Sequence, residues 1–209
     1  MPRQSSRAQP LRVDAQRNLR HVLSAARDVF AEQGYDAPME EVARRARVGV
    51  GTVYRRFPSK EALVQHIADE ETRVLTDRAW EALESEPEPW GALECFVRAS
   101  AASGTGRLLP PELLTACAVG GPADRVPQQR GTEGAGSAQR SDARELLAVM
   151  ERLVEGARSA GELRPDVLVG DVVLVIATIP PALGEARRQS VASARLLEIL
   201  LQGLRPAAR

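Results

Sequence analysis

Apolar residues recur along this chain at helical spacing, and the pattern predicts an all-α protein of about nine helices. A first helix is expected over 13–33. Val22, Ala26, Val29 and Phe30 form its buried stripe, and Gly34 is suited to ending it. A short helix follows over 38–46, with Pro38 at its first position and Glu40 and Glu41 near its N-terminus. Another short one spans about 50–57 and stops at Pro58. Residues 59–84 read as one long helix with Ser59 as its cap and Leu63, Ile67, Val74 and Leu75 on its apolar face. The run from Glu84 to Pro89 is a clear break. A domain boundary belongs before it, inside or at the end of the long helix.

Beyond the break, helices are expected over 90–103 (Trp90, Leu93, Phe96 and Val97 on one side) and 108–119, with Gly104 to Gly106 between them. Residues 120–141 are rich in Gly, Ser, Gln and Pro without periodicity and read as a loop, either a linker or a lid. A seventh helix over 142–160 turns Leu146, Leu147, Met150, Leu153 and Val154 inward, and Gly161 ends it. The stretch 166–179, with Asp166 as candidate cap, is so apolar that it reads as a helix buried nearly all round. A last helix over 191–204 carries Leu196, Leu197, Leu200, Leu201 and Leu204.

The organising stretch is 39–60. Val42, Ala43 and Ala46 keep one helical face, Val48 to Gly51 breaks the pattern with two glycines, and Val53 and Phe57 restart a stripe at i and i+4. Thr52, Tyr54, Arg55 and Arg56, which lie between, can all hydrogen-bond to phosphates or base edges. Two short helices joined by a tight turn form the geometry that places one of them in a DNA major groove.

The run Val42-Ala43, Val48, Gly51-Thr52-Val53-Tyr54, Phe57-Pro58-Ser59-Lys60-Glu61 resembles the N-terminal domain of the tetracycline-repressor-like (TetR) family. So does the upstream run from Ala25-Ala26 to Phe30, with Gly34-Tyr35. The resemblance covers roughly 13–66. It implies an all-helical homodimeric transcription regulator with a C-terminal domain for a small-molecule effector. The domains then divide into a flexible basic arm (1–12), a helix-turn-helix domain (13–58), a connecting helix (59–84) and a ligand-binding and dimerisation domain (85–209). Four departures stand out. The segment between Gly34 and Val42 is one residue short and lacks the usual threonine cap. Arg47 stands at a turn glycine, Gly49 replaces a serine cap, and Arg56 stands where an aromatic ring is frequent.

On double-stranded operator DNA, the resemblance assigns Thr52, Tyr54, Arg56 and Lys60 to phosphates. Val50, Gly51 and Arg55 lie at the start and flank of the reading helix, where Val50 could touch a thymine methyl and Arg55 a guanine edge or a phosphate. Arg44 and Arg45 are further backbone candidates. Trp90, Phe96, Leu113, Cys117, Met150 and Ile176 are candidates for an effector pocket between the bundle helices. Val172, Val175, Ile179, Leu197, Leu200, Leu201 and Leu204 are candidates for a four-helix dimer interface.

Charge supports this division. The net charge is zero, but residues 1–60 hold twelve Arg/Lys against six Asp/Glu, and the remainder sixteen against twenty-two. A basic head on an acidic body is the electrostatic footprint of a nucleic-acid reader. Lys60 is the only lysine. Cys95 and Cys117 sit in apolar helical contexts and read as buried thiols, with nothing basic adjacent to make either a redox switch. His21 and His66 have no partners at ligand spacing, so neither a metal nor a cofactor is expected. No long uncharged apolar run and no signal core is present, which predicts a cytoplasmic protein without a membrane span. Three functions fit in descending order: a ligand-responsive DNA-binding repressor, a helix-turn-helix-derived interaction module without DNA reading, and a small helical enzyme. Against the last, no nucleophile–base pair, metal cluster or phosphate loop stands out.

Overall fold

The computed structural model of the chain describes residues 8–104, 135–178 and 186–207. The described residues form eight α-helices: α1 (Ala8–Gln33), α2 (Met39–Ala46), α3 (Val50–Arg56), α4 (Lys60–Ser85), α5 (Pro89–Ala102), α6 (Ala135–Ser159), α7 (Val169–Ala177) and α8 (Ala186–Leu204). They fall into two compact units, residues 1–67 and 68–209, and the division lies inside α4 rather than at either of its ends.

The first unit is a small helical head. α1 packs on α2, and α2 on α3. Val22, Ala26, Val29 and Phe30 of α1 are buried as the spacing predicts, and they meet Met39, Val42 and Ala43 of α2. Gly34 takes φ +80°, a conformation that glycine adopts without steric cost, and its N–H donates to the Phe30 carbonyl at 3.0 Å. Pro38 is the N-cap of α2, one position outside the helix, in extended conformation. Leu63 and Ile67, in the first two turns of α4, complete this core.

The second unit is a helical bundle with a continuous apolar core. α5 packs against α6, α7 and α8, while α7 also touches α6 and α8. Leu93, Phe96 and Val97 of α5 are fully enclosed by Val149, Met150, Leu153, Val172, Ile176 and Leu201, among others. A polar strap runs along the α5–α8 seam. The Trp90 indole N–H donates to Glu94 at 2.8 Å, and Arg98 bridges Glu94 and Glu198, each at 2.7 Å. The Arg205 guanidinium lies 4.6 Å above the Trp90 ring.

Several boundaries differ from the sequence expectation. α1 begins at Ala8, so the last part of the expected arm is helical. Pro10 falls in its first turn, where a missing N–H costs nothing. α6 begins at Ala135, seven residues earlier than expected, and α8 begins at Ala186 rather than 191. α7 is shorter than expected. Asp166 does not cap it but pairs with Arg164, and Asp171 instead accepts the Leu168 N–H at 2.8 Å at the helix start. Nor is α7 buried all round, since Leu174 is 54% exposed. Cys95 is exposed rather than buried, because it lies off the Leu93–Phe96–Val97 stripe of α5. The helix expected over 108–119, Cys117 and most of the 120–141 loop lie outside the described residues.

Two outcomes follow from this packing. Phe96→Ala is expected to cost about 3–5 kcal/mol of stability in urea unfolding, the range for emptying an enclosed aromatic site. A cost under ~1 kcal/mol would show that Phe96 is not a core anchor. Glu198→Gln tests the strap. Hydrogen bonding to Arg98 holds the Glu198 carboxyl below the usual glutamate range. Its contribution is therefore complete above that range and fades as pH falls through the depressed value. The difference in Tm between wild type and variant should be present near neutral pH and shrink below about pH 4. A difference that stays constant with pH would contradict the strap.

Candidate nucleic-acid interface

The turn between α2 and α3 is built by backbone hydrogen bonds around one left-handed residue. Arg47 ends α2 at φ 57°, ψ 41°, and its N–H donates to the carbonyls of Ala43 and Arg44. The Val48 N–H donates to the Ala43 carbonyl at 3.0 Å. Helices end this way because a left-handed residue lets the next two amides reach back to free carbonyls, and glycine or asparagine is the usual occupant. Arginine there costs roughly 1–2 kcal/mol relative to glycine. α3 then starts from Gly49, which supplies no side-chain cap. Thr52 N–H donates to the Gly49 carbonyl at 2.8 Å.

α3 is seated by two side chains. Val53 is its only buried residue, and Phe57, just past its end, is 5% exposed. His66 of α4 lies 5.4 Å from the Phe57 ring, centroid to centroid. The Ser59 hydroxyl caps α4 as expected, accepting the Ala62 N–H at 3.2 Å. With Val53 inward, Val50, Gly51, Thr52, Tyr54, Arg55 and Arg56 are all exposed, and Lys60 is half-buried.

The arginines of α2, α3 and the turn between them divide into two kinds. Arg44 is held by both carboxylate oxygens of Glu41, at 2.8 and 2.5 Å. Arg45 reaches across to α1 and is held by both oxygens of Glu32, at 3.1 and 2.6 Å. Hydrogen bonding to these guanidinium groups keeps the Glu41 and Glu32 carboxyls below the usual range. Among the described residues, Arg47, Arg55 and Arg56 have no such partner. Within α2, α3 and the turn between them, the free cationic groups therefore lie on α3 and that turn, and Arg44 and Arg45 are engaged within the protein. The Glu41–Arg44 pair was legible from its i, i+3 spacing. The Glu32–Arg45 pair depends on how α1 packs on α2 and left no sequence signal.

The second unit places the remaining candidates differently. Trp90, Phe96, Met150 and Ile176 all belong to the apolar core, while Leu113 and Cys117 lie outside the described residues. Of the candidate interface residues, Val172 and Leu201 are closed inside the unit's own core, and Val175 and Leu204 are only 8% exposed. These four leave little or no surface for a second copy. Leu197 and Leu200 are half-buried, and Ile179 lies outside the described residues. The large apolar side chains that α7 and α8 do expose are Leu174, Val191 and Ile199, none of which the sequence singled out. Among the described residues no group of three or more His, Cys, Asp or Glu could hold a metal, and no helix is long and apolar enough to cross a membrane.

A small helical head with an exposed, arginine-bearing short helix, followed by an all-helical body, defines a helix-turn-helix regulator. Residues 22–67 match the family model described as bacterial regulatory proteins, tetR family, and residues 88–206 match the SbtR-like transcriptional regulator C-terminal domain. A TetR regulatory protein of Mycobacterium vanbaalenii is 33% identical, with a TM-score of 0.53 over 94% of this chain and 100% of that one. A TetR regulator of Streptomyces coelicolor is 32% identical, with a TM-score of 0.50 over 90% of this chain and 98% of that one. A stretch of 57 residues, 27% of this chain, is 44% identical to the A-factor receptor protein of Streptomyces griseus and spans 21% of that protein's length. The chain belongs to the TetR family of transcriptional regulators.

The two kinds of arginine make different predictions. Arg55→Ala should weaken binding to a mixed-sequence duplex more than Arg44→Ala does, since Glu41 already neutralises Arg44. Fluorescence anisotropy at ~0.1 M salt compares them, with the phosphate contribution read from the salt dependence. Equal losses would show that DNA draws Arg44 away from Glu41.

Proposed function

We propose that this chain is a ligand-responsive repressor that binds a palindromic operator as a homodimer and leaves it when a small-molecule effector occupies the second unit. The observation that carries the proposal is the exposed surface of α3. Its one buried side chain is Val53, and the rest is a short, hydroxyl-bearing and cationic set: Gly51, Thr52, Tyr54, Arg55 and Arg56. Such a surface suits a major groove, with Tyr54, Thr52, Arg56 and Lys60 on phosphates and Val50, Gly51 and Arg55 nearest the bases.

Dimerisation is supported by the exposed Leu174 of α7 and by Val191 and Ile199 of α8, with Leu197 and Leu200 half-covered beside them. These side chains, more than the enclosed Val172 and Leu201, suit an isologous four-helix contact. An effector site in the second unit is supported by the Ser100 hydroxyl. It is fully buried and has no hydrogen-bond partner among the described residues, whereas buried hydroxyls are ordinarily satisfied. Effector binding would then favour a population whose two heads no longer fit successive major grooves.

Selection of duplexes from a random pool by the full-length protein tests the proposal. A palindromic sequence should emerge, with half-sites about one helical turn apart. Tyr54→Phe combined with Lys60→Ala should weaken binding to it by roughly tenfold or more through lost phosphate contacts. Enrichment of no sequence over the pool would overturn the proposal.

A further inference from the structure

We propose that Arg47, in the turn ahead of α3, is a phosphate-binding residue of the DNA interface, kept there at the expense of the turn's own stability. The inference rests on the DNA-binding function proposed above and adds a contact to it. Four observations converge on this side chain. Arg47 is the only non-glycine residue with positive φ among those described, and it occupies the turn position that glycine fits best. Nothing in the protein accounts for an arginine there: the residue is exposed, and its guanidinium has no hydrogen-bond or ion-pair partner among the described residues. Its neighbours Arg44 and Arg45 are neutralised by Glu41 and Glu32, so the charge at the end of α2 that remains available is that of Arg47. The chain beside it is also stripped of side chains. A Cβ on Gly51 would meet nothing within 4 Å, and one on Gly49 only the Thr52 hydroxyl at 3.9 Å.

A duplex can therefore come close to this turn, and a long cation at its edge reaches the phosphate backbone. Strained residues cluster where function over-determines them, and Arg47 lies three residues before the helix proposed to read DNA. Arginine suits the task, with a fixed charge and a planar fork of donors matched to phosphate oxygens.

The test is Arg47→Gly in the full-length dimer, with Arg47→Lys beside it. Thermal unfolding and fluorescence anisotropy on a mixed-sequence duplex are measured across a salt series. Arg47→Gly should raise Tm by about 2–8 °C as the strain is relieved. It should also lower the slope of log K against log salt by about one per subunit and weaken every duplex by a similar factor. Arg47→Lys should restore most of the slope. An unchanged slope in Arg47→Gly would overturn the inference while leaving the proposed function intact. Loss confined to one selected sequence would overturn it in favour of base reading. Wild-type protein that binds no duplex would overturn both.

Discussion

Everything this protein can present to DNA depends on the insertion of two side chains, Val53 and Phe57, into the head's core. α3 has seven residues, no side-chain cap at its start and a C-cap in extended conformation. A helix of that length does not form on its own in water, since nucleation is costly and few hydrogen bonds follow it. Packing supplies what propensity lacks. Val53 is 1% exposed and Phe57 5%, and they meet a surface prepared by Val42 and Ala43 of α2 and by Leu63 and Ile67 of α4. Once those two are fixed at i and i+4, the helix rotation is fixed as well. The remaining side chains of α3 then have nowhere to point but solvent, so the exposure of Tyr54, Arg55 and Arg56 is a consequence of the core.

This is why so much of the head was legible in the sequence. Its elements are separated by residues with strong local preferences: Gly34 with φ +80°, Pro38, Gly49, Pro58 and the Ser59 cap. Binary patterning and breakers coincide there, so the end of α1 and the bounds of α2 and α3 follow within a residue or two, while the start of α1, which no breaker marks, lies five residues earlier than expected. The second unit offered fewer such marks. Its helices were recognised by their stripes, but their starts were missed by several residues at α6 and α8, where nothing local forbids an earlier turn. The cap of α7 was missed for a subtler reason. The helix starts at Val169 with Leu168 as N-cap, which leaves Asp166 two residues outside and paired with Arg164, while Asp171 at the third helical position takes the role. Periodicity named the apolar residues of α7 and α8 correctly. It could not say which would be enclosed by their own subunit, because that depends on where α5 lies: Val172 and Leu201 are covered by the α5 seam, while Leu174 and Ile199 are not.

Charge was the least legible property, because pairing is a tertiary matter. A count of cations marks the head as basic, yet it treats Arg44, Arg45, Arg47, Arg55 and Arg56 alike. The structure separates them by what they touch. Exposed ion pairs such as Arg45–Glu32 add little stability, but they decide availability. A guanidinium already forked onto a carboxylate must give up those hydrogen bonds before it serves a phosphate. Across α2 and α3 the available positive charge is thus smaller than the formal charge and is localised on α3 and the turn before it.

α4 joins this localised surface to the rest of the protein. It is one helix of 26 residues, and the division between the units falls at Ile67, inside it. Leu63 and Ile67 belong to the head's core, Leu75, Ala79 and Ala82 to the body's. A connection made of loop could absorb displacement by small dihedral changes, whereas a continuous helix resists them because every turn is hydrogen-bonded to the next. Side chains of both cores are therefore carried on one continuous helix.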